Sequence, residues 1–396
     1  MVDDGISNPT DNTPFEEIAQ ARISRRGMLA GGLATAATTF LIDSNVAGAA
    51  PAKKSKKRNN AVSALDFETI PLGYGPEVVV PAGFTATPFL PWGTPILPGA
   101  SRSDLPRNAS DQERRIGLGH DGMWFFPFDR DRTRGVLCIN HEYGTNDHLA
   151  TGSGRAPGTR QFVRLSQAIH GVAVVEIEKV EGEWQVVMGD KNRRITVNSP
   201  VTFSGPVAGS PLLENPVGNP YLGTANNCAN GKTPWGTYLT CEENFNGYFG
   251  ANGAFEPSAE QARYGLSAGG FGYGWHEHDA RFDLTDPRFA NEHNRFGWVV
   301  EIDPMDPDAL PVKRTALGRF KHENCEIYVG AGNRVVAYMG DDERFDYLYK
   351  FVSADNWKRM IRRGVSPLDE GTLYVARFDA DGTGDWIPLT MDDNRL

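Results

Sequence analysis

Carboxylates recur at or near the ends of short apolar runs in this chain, and that pattern is the first feature able to do chemistry. Six runs share the form: 136–142 (VLCINHE), 173–177 (AVVEI), 237–243 (TYLTCEE), 298–303 (WVVEID), 334–342 (RVVAYMGDD) and 372–378 (TLYVARF). Acidic side chains gathered from distant positions make an oxygen-rich site that suits calcium, and a thiolate among them suits ferric iron. A plainer reading stands beside it, in which the carboxylates cap solvated strand ends. Four cysteines, Cys138, Cys228, Cys241 and Cys325, are too few and too scattered for a disulfide framework. Each reads either as a buried small hydrophobe or as a thiolate protected by a metal.

The histidines carry less. His120, His141 and His322 adjoin acidic residues, which suggests that they orient ligands rather than supply them. His276 and His278 flank Glu277 at metal-ligand spacing on an expected strand, yet they read as surface or loop structure. Trp124, Trp235 and Trp298 read as packing residues.

The elements that must position these groups are mostly strands. The runs are separated by Gly, Pro and Asn turns, and few stretches carry a helical period, so an all-β fold is expected. Their uneven spacing excludes a repeat of one fixed period but fits propeller blades with insertions, whose inner strand ends would converge on one axis. The chain has 396 residues, 40% hydrophobic and 23% charged, enough for one large domain with a sizeable core. The net charge is −10 and the only dense basic run is 53–58 (KKSKKR), so a groove neutralising nucleic-acid phosphates is not expected. Bound cations would reverse the local field wherever the carboxylates cluster.

The N-terminus reads as an export signal. Arg25 and Arg26 open a twin-arginine pattern, the mildly apolar stretch 30–42 follows, and 47–49 (AGA) is a small-residue cleavage site. Residues 1–49 are therefore the expected signal peptide, 50–64 a basic linker and 65–396 the functional domain. No other apolar run approaches the ~20 residues needed to span a bilayer, so no stable membrane anchor is expected. The twin-arginine machinery carries folded proteins, which suits one that acquires a metal before export. The expected location is periplasmic or secreted.

The densest segment, 226–248 (NNCANGKTPWGTYLTCEENFNGY), resembles the signature of PhoX-type alkaline phosphatases. The resemblance continues in 119–127 (GHDGMWFFP), 140–143 (NHEY), 294–304 (NRFGWVVEIDP), 313–323 (KRTALGRFKHE) and 338–343 (YMGDDE), in the family's order. It implies an irregular six-bladed β-propeller with an active site of iron (Fe3+) and calcium that hydrolyses small-molecule phosphate monoesters. On that likeness Cys228 matches the iron-binding cysteine and Glu323 an iron-bridging or iron-binding glutamate, with Glu243, Asp121, Glu142, Asp341 and Asp342 assigned to iron or calcium. Cys228 sits in an Asn/Gly loop, whereas Cys241 lies inside a strand and is expected in the core. Arg194, within 192–196 (NRRIT), is the candidate for bidentate hydrogen bonding to phosphoryl oxygens; its other reading is a strand-edge surface arginine. The protein is expected to be a monomer.

Two departures accompany the likeness. Family members extend past the point where this chain stops, so the propeller is expected to be incomplete at its C-terminus, with exposed strand edges. Asn324, Cys325 and Glu326 stand where the family carries small residues. The alternatives are a calcium-dependent propeller hydrolase of lactones or esters, in which Cys228 has no evident role, and a non-catalytic propeller that binds a partner.

Overall fold

The computed structural model describes residues 68–71, 73 and 75–390; the expected signal and basic linker lie outside them. The chain divides into two compact units. Of the described residues, the smaller comprises 68–71, 73, 75–89 and 379–383 and has no helix or strand among them. The larger comprises, of the described residues, 90–378 and 384–390 and carries three five-stranded sheets.

In the first sheet β1 (His120–Pro127), β2 (Arg134–His141), β3 (Gly171–Val180) and β4 (Glu183–Val187) follow one another antiparallel, and β5 (Arg193–Ile195) pairs with the start of β3. The second runs in the order β6 (Thr202–Ser204), β10 (Val312–Arg314), β9 (Val299–Ile302), β8 (Tyr238–Glu242), β7 (Asn227–Lys232), with β6 and β10 parallel. The third is an antiparallel meander of β11 (Glu326–Val329), β12 (Arg334–Gly340), β13 (Leu348–Asn356), β14 (Gly371–Phe378) and β15 (Gly384–Pro388).

The middle strands of the second sheet are buried on both faces. Tyr238 and Ile302, paired across β8 and β9, pack with Phe126, Val136, Cys138 and Val174 of the first sheet. Leu239, Cys241 and Val299 point the other way and pack with Val335, Ala337, Met339 and Phe351 of the third. A strand covered on both sides needs apolar residues at every position, which is why the runs read as continuous rather than alternating. Cys241 is in this core, as its place in a strand led us to expect.

The six-bladed all-β propeller is corrected by this architecture. The described residues form three sheets, one with a parallel pair, none closed on itself or propeller-like, together with α-helices and many short 3-10 turns. The six carboxylate-bearing runs do not start six blades: 136–142 and 173–177 fall in the first sheet, 237–243 and 298–303 in the second, and 334–342 and 372–378 in the third. The helix Arg160–Ile169 is amphipathic, with Arg160, Gln161 and Arg164 toward solvent and Phe162, Val163, Leu165 and Ile169 buried, so its period was present in the sequence and was passed over beside the strand runs. Thr159 caps it by accepting from the Phe162 N–H.

Candidate metal centre

Strand β7 is where the three sheets meet, packing against β1 and β2 on one side and β11 on the other. Two glycines permit the approach. A Cβ on Gly122 of β1 would lie 2.8 Å from the Cys228 carbonyl oxygen, and one on Gly231 would collide with the Cys325 carbonyl. Asn140, fully buried on β2, donates from Nδ2 to the carbonyls of Cys228 (2.6 Å) and Ala229 (3.0 Å). The Tyr238 hydroxyl shares its proton between the Gly122 carbonyl (2.8 Å) and Asn140 Oδ1 (2.9 Å).

Both strands are irregular at this point. The register of β1 against β2 shifts between His120 and Met123, and that of β7 against β8 shifts between Asn227 and Asn230. Asp121 and Cys228 occupy these irregularities, which turn side chains out of the normal alternation. Asn226, just before β7, takes a left-handed φ of 51°. Its carbonyl accepts from the Glu243 N–H (3.0 Å), and its side chain accepts from Asn244 N and donates to the Tyr248 hydroxyl.

Adjacent glutamates at the end of β8 separate into two roles. Glu242 turns into the core, where Lys313 Nζ lies 2.7 Å from its carboxylate and the Gly297 and Trp298 N–H groups donate to it. Glu243, one residue on, turns to the opposite side and is 2% exposed. Short loop bonds bring in the third sheet: Glu323 N donates to Gly340 O, Asp342 N to Lys321 O and His322 N to Glu242 O.

Five of the seven expected metal residues thereby come together. Ligand atoms of Asp121, Glu142 and Cys228 lie within 4.8 Å of one another, as do those of Cys228, Glu243 and Glu323, so Cys228 belongs to both groups. Its Sγ donates to Glu323 Oε2 at 3.0 Å. Asp342 adjoins the cluster through a carboxyl hydrogen bond with Glu243. Asp341 stands apart, its carboxylate 3.8 Å from Arg263 Nη2.

The electrostatics are those of acids crowded together. Burial pushes the Glu142 carboxyl up to about 8, assisted by its hydrogen bond with Asp121 and by the charges of Asp121, Glu323 and Asp342. Burial likewise raises Glu243 to about 9, with Asp342, Glu323 and Glu142 adding to it. The Cys228 thiol is pushed up by burial, then by its bond to Glu323 and the neighbouring acids. The leading influences on all three come from burial and other acidic groups, not from a lysine or arginine.

Arg194 is placed elsewhere. Its Nη2 donates to the carbonyls of Ala168 (2.9 Å) and His170 (2.8 Å), while Nε and Nη1 are enclosed without partners. Burial lowers it to about 9. The histidines beside the acids bond to backbone: His120 to Leu90 O, His141 to Gly117 N and His322 to Gly318 O. His276 is in a 3-10 turn, Trp275–Glu277, with His278 just after it, rather than on a strand, and neither joins a metal-capable group among the described residues. Sequence reasoning passed over Asn140 and Tyr238, which hold the Cys228 backbone; Asn140 lies inside the motif 140–143, and that was the available signal.

Residues 65–395 match the family described as alkaline phosphatase PhoX. The chain belongs to that family. It is similar to a solved structure, Pseudomonas fluorescens PhoX in complex with vanadate, a transition-state analogue, at 43% identity and a TM-score of 0.75. That likeness covers 82% of this chain and 58% of the other, so the chain spans less than two thirds of the relative's length. No curated protein matches it. No helix among the described residues is long and apolar enough to cross a membrane.

Proposed function

We propose that this chain is a metal-dependent phosphatase that hydrolyses phosphate monoesters and releases inorganic phosphate. The observation that carries the reading is the convergence of Asp121, Glu142, Cys228, Glu243 and Glu323 from three sheets. Carboxylates and a thiol so close together raise each other's proton affinity, and multivalent cations are the counter-charge that would let them ionise together. The mixed sulfur and oxygen donor set fits iron at Cys228, Glu323 and Glu243, and calcium toward Asp121, Glu142 and Asp342. Bound there, such ions supply neutralisation of the phosphoryl oxygens, whose charge otherwise repels an attacking nucleophile. The protein's own part is to hold the ligands: Asn140 and Tyr238 fix the Cys228 backbone, and Asn226 fixes Glu243. Arg194, bonded to two backbone carbonyls, receives a structural role here, and Asp341 pairs with Arg263.

The family match and the vanadate complex of the Pseudomonas relative support this reading. The twin-arginine pattern at Arg25 and Arg26 supports export to the periplasm or medium, with extracellular phosphate esters as substrates. The test is phosphate release from 4-nitrophenyl phosphate by the purified chain, loaded with iron and calcium or stripped by chelator. Release that disappears on stripping and returns on reloading is expected; no release from protein shown by elemental analysis to hold both metals would overturn the reading.

A further inference from the structure

Four arginines line one cavity in a chain whose net charge is −10. The cavity has a volume of ≈ 510 Å³ and is walled by Arg107, Asn108, Ser110, Arg155, Arg160 and Arg164, among others. Arg160 and Arg164 are spaced i, i+4 at the start of the helix Arg160–Ile169, and Arg155 comes from the loop before it. Arg107 and Asn108 precede the short helix Ala109–Gln112.

Clustered guanidiniums repel one another unless anions sit between them, and the protein supplies few. Arg164 pairs with Asp279 at 3.1 Å, and Arg155 Nη2 donates to the Arg107 carbonyl. The side chains of Arg107 and Arg160 have no hydrogen bond or carboxylate partner among the described residues. Two further acids stand close by: Asp111 is spent on Arg115 Nε and on the backbone N–H groups of Ser101 and Arg107, and the charge of Glu113 is shared among Arg194, Arg114 and Arg164. Planar guanidinium forks bind phosphate and sulfate oxygens in pairs, and the first turn of the 160–169 helix adds positive potential.

We propose that this cavity is a binding site for clustered tetrahedral oxyanions, phosphoryl or sulfate groups carried on one molecule, separate from the metal centre and independent of its reading. The probe is sucrose octasulfate, which carries clustered oxyanions and no phosphoester, compared with inorganic phosphate by calorimetric titration of the metal-loaded chain at low ionic strength. The octasulfate should bind more than about ten-fold tighter than phosphate and weaken with added salt. The exposed pair Arg107→Gln with Arg160→Gln should weaken it by about ten-fold or more, with 4-nitrophenyl phosphate turnover unchanged. Phosphate binding as tight as the octasulfate, and equally sensitive to the pair, would keep the site but overturn the requirement for clustering. Octasulfate binding that survives the arginine changes, or that is lost in Cys228→Ala, would place the anion elsewhere and overturn the proposal.

Discussion

Cys228 and Glu323 are 95 positions apart in the sequence, yet the thiol of one donates to Oε2 of the other at 3.0 Å. The contact joins the second sheet to the loop that enters the third, and it places sulfur within a group of acids. Replacing Cys228 with Ala removes the one residue common to both metal-capable groups. Iron content by elemental analysis should fall to near zero. Phosphatase activity should drop by more than the ~10–100-fold that loss of a supporting outer residue causes. Full iron occupancy in that variant would refute the assignment.

The acid cluster sets a pH dependence in protein stripped of metal. Glu142 at about 8 and Glu243 at about 9 both stand above the ordinary value of 4.5, so the folded state holds protons that the unfolded chain releases. Stability from these groups is fully present below about pH 4.5 and is lost as pH rises through 8 to 9. The urea midpoint of stripped protein should therefore fall between pH 5 and pH 9, and Glu243→Gln should flatten that fall. Restoring metal should flatten it as well. A midpoint that climbs with pH over this range in the stripped wild type would contradict the geometry.

Much of the site was legible because its motifs are local. The segment 226–248 contains Cys228, Glu243 and the Asn226 that holds the turn, so one stretch of sequence carries two members of the acid and thiol cluster and part of their support. What the sequence could not show is orientation. Glu242 and Glu243 are the same residue type in one run, and only the pleat decides that the first meets Lys313 and the second meets the cluster. Asp341 and Asp342 divide the same way, one toward Arg263 and one toward Glu243. Arg194 looked available as part of a basic tetrapeptide, but its backbone carbonyl partners lie on another element and leave no trace in spacing. The sheet count went wrong for a related reason: four of the runs lie in strands covered on both faces and those in β12 and β14 do not, and neither kind says how many strands share one sheet.

Lys313 and Glu242 form an ion pair with both side chains fully buried. Lys313→Met leaves the carboxylate without its cation in a site where burial already raises its proton affinity. The expected loss is about 3–5 kcal/mol in chemical denaturation. The double change with Glu242→Leu should recover most of it, since removing both charges also removes both desolvation penalties. A single variant as stable as wild type would show that the pair contributes nothing.

Asn140 gives the sharpest separation between holding the proposed metal ligand Cys228 and holding the fold. Its Nδ2 bonds two consecutive carbonyls in the irregular part of β7, and its Oδ1 receives the Tyr238 hydroxyl. Asn140→Ala strands all of these groups in a buried place, so a loss of about 1–3 kcal/mol is expected. It also frees the backbone that aims the Cys228 thiol, which should weaken iron retention by ~10–100-fold. Tyr238→Phe removes only the hydroxyl, and Asn140 Nδ2 still reaches Cys228 O. Its stability loss should be about 1 kcal/mol, with iron retained. If Asn140→Ala lost stability but kept iron as tightly as wild type in a chelator competition, the residue would be a packing support alone and the Cys228 position would be set by Gly122 and β1.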